Sequence, residues 1–199
     1  MTVVIVKGRD GMEHDSRARM IGSAAALIGT QGVNATSFSD VLAASGAPRG
    51  SIYHHFPQGK LQLAEDAIRW TSGRVLAHQA GYTGTTAKGV LERFINMWRN
   101  VVLASNGAAG CVVAGVAIDT NTATAEAELV GVVRSTFRDW RTLIATQLEA
   151  AGVQPDRAAA IAMVTLAGME GALIICRAEA SVAPLDTVAA ELFRLLPEA

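Results

Sequence analysis

The chain has 199 residues, of which 50% are hydrophobic and 18% charged, with a formal net charge of −1 and only five prolines. That length suits one or two domains, and the near-neutral total excludes a protein that attracts nucleic acid through a global basic field. The charge is unevenly placed: residues 1–60 hold six Lys/Arg against four Asp/Glu, and the remainder holds 11 against 14, so the N-terminal end is the one suited to phosphate. Cys111 and Cys176 show no metal-ligand spacing and form no disulfide framework, which fits two buried thiols in a reducing cytoplasm.

In chain order, residues 1–15 read as a flexible N-terminal extension. Its apolar start, Met1 to Val6, is too short for a signal peptide or a membrane span. A first helix is predicted over 16–31, capped by Asp15 or Ser16. Met20, Ile21, Ala24, Leu27 and Ile28 give it one apolar stripe, and Gly32 ends it. Arg17 and Arg19 read equally well as phosphate contacts or as solvated surface.

Residues 36–60 read as two short helices joined by a tight turn. Ser37 with Asp40 three residues on matches a capping box, Val41 and Leu42 supply apolar contacts, and Gly46 stops the first helix. Pro48 suits the first turn of the second, from Arg49 to about Phe56. Ile52 and Phe56, four apart, pack inward. Arg49, Ser51, Tyr53, His54 and His55 occupy the other sides, and a helix of that kind fits a DNA major groove. In this reading Arg49 and Ser51 reach base edges, while Tyr53 and His54 straddle the groove edge. Lys60 and the amides of the helix it opens clamp a phosphate, and Thr36 and Ser37 offer hydroxyls to the same strand. His54 and His55 are adjacent and point about 100° apart, so they make no metal pair. No metal site, cofactor or catalytic motif is recognised, and no enzyme activity is expected.

The run Gly50-Ser51-Ile52-Tyr53-His54-His55-Phe56 is followed by Lys60 and preceded by Gly32, Thr36-Ser37, Asp40-Val41 and Gly46. It resembles the TetR family of bacterial one-component transcriptional repressors, over residues 16–63. Pro57-Gln58-Gly59 is one residue longer than the commonest pattern and is similar to the drug-responsive efflux-repressor (LmrA/YxaF-like) branch. Gly110-Cys111-Val112-Val113-Ala114 is similar to a Gly-Cys-Pro-Val-Ala segment of that branch, with Val112 in place of Pro. The resemblance implies an all-α protein with a three-helix helix-turn-helix domain at 16–60 and a helical effector-binding and dimerisation domain at 61–199. It implies a cytoplasmic homodimer on a palindromic double-stranded operator, released by a small lipophilic effector, and it adds Gly50 to the DNA-binding set.

Beyond Lys60 a helix is predicted to about Ala80, with Ala64, Ala67, Ile68, Thr71 and Val75 inward. It is expected to be the only continuous link between head and body. Helices follow at 86–105 (Val90, Phe94, Met97, Trp98 and Val101 inward) and near 111–119. Another, capped by Thr122 or Thr124, runs to about Ala150 with Leu129, Val133, Phe137, Trp140, Ile144 and Leu148 inward. Arg134, Arg138 and Arg141 read as its solvated face. The last two helices fall at 156–178 and 185–196. The apolar run from Ile161 to Cys176 carries Glu170 and reads as a buried or interface helix, not a membrane span. Ala160, Met163, Ala167, Gly171 and Ile174, with Leu185, Val188 and Leu192, form the expected seam between symmetry mates. Trp70, Phe94, Met97, Trp98, Cys111, Phe137, Trp140, Met163 and Glu170 are the candidate lining of an effector pocket, with Asp119 and Asn121 for polar selectivity. The alternative is a body that only dimerises or binds a protein partner.

Overall fold

The structure, a computed structural model, describes the backbone of residues 9–120 and 127–197, with side chains from residue 16 onward within those stretches. Every element among the described residues is a helix: α1 Arg9–Ala35, α2 Phe38–Ser45, α3 Ser51–His55, α4 Lys60–Ala80, α5 Ala87–Ala104, α6 Val112–Asp119, α7 Ala127–Ala150, α8 Pro155–Glu179 and α9 Ala183–Arg194. Asn121, Thr122 and Thr124, named above for selectivity and capping, lie outside the described residues.

α1 begins earlier than expected. Asp15 and Ser16 lie inside it, so residues 9–15 belong to a helix and not to an extension. Those residues contain no proline, and nothing in them obliges the helix to stop where its core contacts stop. At its far end Gly32 takes φ 82 and ψ 169, a conformation open to glycine, and the chain breaks there before a last short turn.

The head closes around Met20, Ala24, Ile28, Val41, Ile52 and Phe56, each at most 1% exposed. Ser37 caps α2 with the full reciprocal box: its hydroxyl accepts the Asp40 amide, and the Asp40 carboxylate accepts the Ser37 amide. Gly46 ends α2 in the left-handed conformation, and α3 follows after a turn at Pro48. α3 is shorter than expected, because Arg49 and Gly50 belong to the turn.

In the body the inward stripes are right in phase but slip by one residue at three places. Ser72 is buried where Thr71 was expected, Val102 where Val101 was, and Thr136 beside a half-buried Phe137. Steps of three and four are both close to the helical period, so the pattern leaves single positions undetermined. Gln79, buried in the middle of this core, donates to the Val90 carbonyl and to the Gln147 side chain, tying α4 to α5 and α7. α8 is long and apolar enough to cross a membrane by composition alone, yet one face packs on α7 and α9, and Ile161, Met169, Leu173 and Cys176 are buried there.

The tightest junction joins head to body. α6 crosses α1 with almost no space between backbones. A Cβ on Gly29 would stand 2.6 Å from the Gly110 carbonyl oxygen, and one on Gly115 would stand 2.5 Å from that of Ile28. Around the crossing, the Asn34 amide donates to Asp119 at 3.0 Å, and the Arg177 guanidinium donates to the Thr30 carbonyl. α4 is therefore not the sole link: α6 holds the end of α1 directly.

Candidate functional site

On the outer face of the head, Arg49, Gly50, Tyr53 and His54 are exposed together. Tyr53 is 69% exposed, and its ring meets Phe38 edge-on at 5.6 Å, so α2 fixes its direction. Beside them a cleft of about 430 Å³ is lined by Ser39, Leu42, Ala47, Arg49 and Tyr53. This face, with a groove beside Arg49 and Tyr53, carries side chains of the kind that contact a duplex.

The other predicted DNA contacts are placed differently. Thr36 is only 2% exposed, and its hydroxyl donates to the Gly32 carbonyl at 2.7 Å, closing the break in α1. Half-buried His55 turns its Nε2 into the protein, because its position lies next to the inward Phe56. Ser51 donates its hydroxyl to the Pro48 carbonyl and stabilises the turn. Ser37 stays exposed, but its hydroxyl is engaged with Asp40, which holds that carboxyl below its usual pKa. Lys60 gives two of its ammonium protons to the Val33 and Asn34 carbonyls, at 3.0 and 3.1 Å. Arg17 pairs with Asp66 at 2.6 Å and lies over the Phe56 ring, and Arg19 donates to the Ser45 carbonyl at the end of α2, so both brace the head.

The candidate effector residues separate into three groups. Trp70, Met97 and Trp98 line an apolar cleft of about 380 Å³ between α1, α4 and α5. Arg74, which sequence reasoning passed over, lies over the Trp70 ring at 4.8 Å in the same cleft. Cys111 and Glu170 line a second cavity of about 360 Å³ between α1, α6 and α8, together with Asp119 and Arg177. Phe94, Phe137 and Trp140 line neither: Phe94 and Trp140 are 1% exposed core, and Phe137 packs edge-on against Trp140 at 5.9 Å. Met163 is also no lining residue. It sits on the outer side of α8, under the Arg141 guanidinium.

Within the second cavity, burial pushes the Glu170 carboxyl up from the usual 4.5 to about 7, and a hydrogen bond from the Cys111 thiol only partly offsets this. Burial also pushes the Cys111 thiol well above its usual value, with the Glu170 charge adding to the effect. Of the glycines that admit this geometry, Gly29 and Gly115 were not singled out from the sequence, and Gly110 was named only as part of the Gly110–Ala114 segment. Their spacing is ordinary, and only the crossing partner gives them meaning.

The residues of the expected dimer seam are mostly exposed on α8 but not on α9. On α8, Ala160, Met163, Ala167 and Ile174 are exposed and Gly171 half-buried, alongside exposed Val164 and Ile175. On α9, Leu185 and Leu192 are buried within their own protomer, and Val188 packs beside Gly168 of α8. The reason is that α9 has one apolar stripe and its own α8 takes it, which leaves Thr187, Ala190, Glu191 and Arg194 outward.

Residues 21–67 match the family pattern described as bacterial regulatory proteins, tetR family, and residues 87–191 match that of the LmrA/YxaF-like transcriptional regulator C-terminal domain. An uncharacterized HTH-type transcriptional regulator of Mycobacterium tuberculosis is 36% identical over 183 residues, covering 90% of this chain and 93% of that one. The HTH-type regulator YxaF of Bacillus subtilis is 26% identical, covering 89% and 93% respectively. Among solved structures, a TetR transcriptional regulator from Legionella pneumophila superposes with a TM-score of 0.80 at 20% identity, covering 98% of this chain and 100% of its own, a likeness of fold.

Proposed function

The chain belongs to the TetR family of bacterial DNA-binding transcriptional regulators, and from that premise we propose that it is a repressor: a homodimer that sits on a palindromic operator and leaves it when a small lipophilic ligand binds the body. The observation that carries the reading is the exposed Arg49, Tyr53 and His54 face on a rigidly capped helix-turn-helix, with the basic groups not needed for DNA turned to bracing the head. Arg49 reads bases from the turn that leads into the recognition helix, and Tyr53 and His54 contact the flanking backbone.

Two further features support the finer parts. The exposed apolar side of α8, with Ile174 at 61% and Val164 and Ile175 at 47%, favours a twofold partner, because a contiguous apolar strip of that kind is seldom left in water. The Trp70, Met97 and Trp98 cleft is of a size and character suited to a lipophilic molecule, and it touches α1, α4 and α5 together. A ligand that prefers one body arrangement would move α1 and α4 and change the spacing of the paired heads.

The test begins with selection of bound sites from random duplex DNA by the full-length protein, followed by anisotropy titrations on the selected site. A palindrome with half-sites about one or more helical turns apart is expected, roughly 34–36 Å per turn. Lipophilic aromatic compounds that quench the tryptophan emission should then release that site. Quenching without release leaves a regulator whose body only dimerises or binds a protein. No sequence preference at all removes the DNA reading.

A further inference from the structure

We propose that the cavity between α1, α6 and α8 binds a small amphipathic amine, its protonated nitrogen on the Glu170 carboxylate and its apolar body against Ile28, Ala114 and Leu173, and that this site is a direct lever on the reading head. The proposal deepens the ligand-release reading and rests on it for the lever alone.

A carboxylate set into an apolar wall is costly unless something of opposite charge pairs with it. Among the described residues Glu170 has one donor, the Cys111 thiol, which is a weak one. The residues that line the cavity and carry charge or titrate are Glu170, Asp119, Cys111 and Arg177; α1 contributes the uncharged Thr30 and Gln31. Arg177 is turned to the Thr30 carbonyl, and Asp119 accepts the Asn34 amide. Two carboxylates facing a shared space repel an acid and favour a cation. Ile118, 74% exposed, stands at the cavity and suits an apolar tail, so a bare metal ion is a poor match. The volume, about 360 Å³, lies at the small end of organic-ligand sites.

The position gives the site its leverage. Thr30, Gln31 and Gly32 line the cavity, and they lie at the break in α1, a few residues before Ser37 caps α2. α6 supplies the opposite wall and is locked against α1 by the glycine crossing. An occupant would press on both helices where neither can yield alone.

The test uses n-octylamine, n-octanol and octanoate, matched in tail and differing in charge, titrated calorimetrically into the full-length protein at about pH 8. Octylamine should bind at least about tenfold tighter than octanol, and octanoate weakest. Glu170→Gln should erase the preference for octylamine over octanol. So should lowering the wild-type protein to about pH 5.5, where a carboxyl with pKa about 7 is neutral, a measurement that needs no variant. The proposal is overturned if octylamine shows no binding, binds no tighter than octanol, or keeps its preference in Glu170→Gln. Operator release is read separately by anisotropy: an amine held by Glu170 that leaves the operator bound sustains the site and removes the lever. Release by octanol and octylamine alike, with no Glu170 dependence, removes the site and leaves ligand release standing.

Discussion

The head and the body use their polar groups in opposite ways. In the head, Ser37, Thr36, Arg19 and Lys60 all bond to backbone or to cap partners, so the motif's shape is written by side chains near one another in sequence or across one helix pair. In the body, polar groups in the interior meet across long sequence distances: Gln79 with Gln147, Glu170 with Cys111. A reading surface needs one shape held still, and local bonds achieve that. If the body senses a ligand as proposed, it needs two arrangements of similar energy, and groups whose partners lie on different helices can be biased by an occupant.

The largest test of that contrast lies at the junction. Gly29→Val forces side-chain atoms into the Gly110 carbonyl, which is backbone and cannot swing away. It should cost about 3 kcal/mol or more in urea unfolding and weaken operator binding with it. Gly73→Ala and Gly131→Ala, where a Cβ meets nothing within 4 Å, should instead stabilise by about 0.5–1 kcal/mol. If Gly29→Val matched the wild type, head and body would be joined through α4 alone.

Glu170 sharpens the comparison from the body side. Its folded pKa, about 7, lies above the usual 4.5, so the folded state holds that proton more tightly than the unfolded chain. The stabilisation is fully present below about pH 4.5 and is lost as pH rises through about 7. Glu170→Gln removes the loss. The variant should match the wild type near pH 4 and be more stable at pH 8, by up to about 3 kcal/mol. Equal stability at both pH values in denaturant titrations would show that the carboxyl is solvated.

The head was largely legible from sequence because its signals are local. The Ser37–Asp40 box, the stop at Gly46 and the inward pair Ile52 and Phe56 each depend on spacings of three to six residues, and each is where spacing put it. The inward turn of Thr36 and of the His55 Nε2 was not legible, because residue type does not encode exposure. In the body the helices were legible and their roles were not. Trp140 and Met163 carry the same apolar signature, yet one is core and the other lies on the outer side of α8. The cleft and the cavity are each assembled from at least three helices, and no single stretch of chain encodes such a meeting.

On DNA, Arg49→Ala should cost about 1–3 kcal/mol at particular base pairs, while Tyr53→Ala should weaken all duplexes alike and lower the salt slope. Thr36→Val is the contrast. Losing its bond to the Gly32 carbonyl should lower stability and leave base preference unchanged. Operator titrations against single-base variants at several salt concentrations separate the three; a Thr36→Val protein with altered base preference would return that hydroxyl to the DNA surface.

The smallest effect falls on Lys60, where bracing and DNA contact meet in one side chain. As a phosphate contact alone, its removal would change nothing in the absence of DNA. In the structure its ammonium also donates to two carbonyls at the end of α1, that of Val33 shared with the Thr36 amide, and so ties the first turn of α4 to the end of α1. Lys60→Met keeps most of the stem and removes the charge and the donors. With water able to replace part of the loss at this half-buried site, the cost to stability should be about 1 kcal/mol without DNA present. Lys60→Arg should recover part of it, since its longer fork still reaches the carbonyls. Urea unfolding of the DNA-free variants decides the matter. An unchanged midpoint for Lys60→Met, with a weaker salt dependence of operator binding, would make Lys60 a phosphate clamp alone, and the rule that the head turns its polar groups inward would then end at α4.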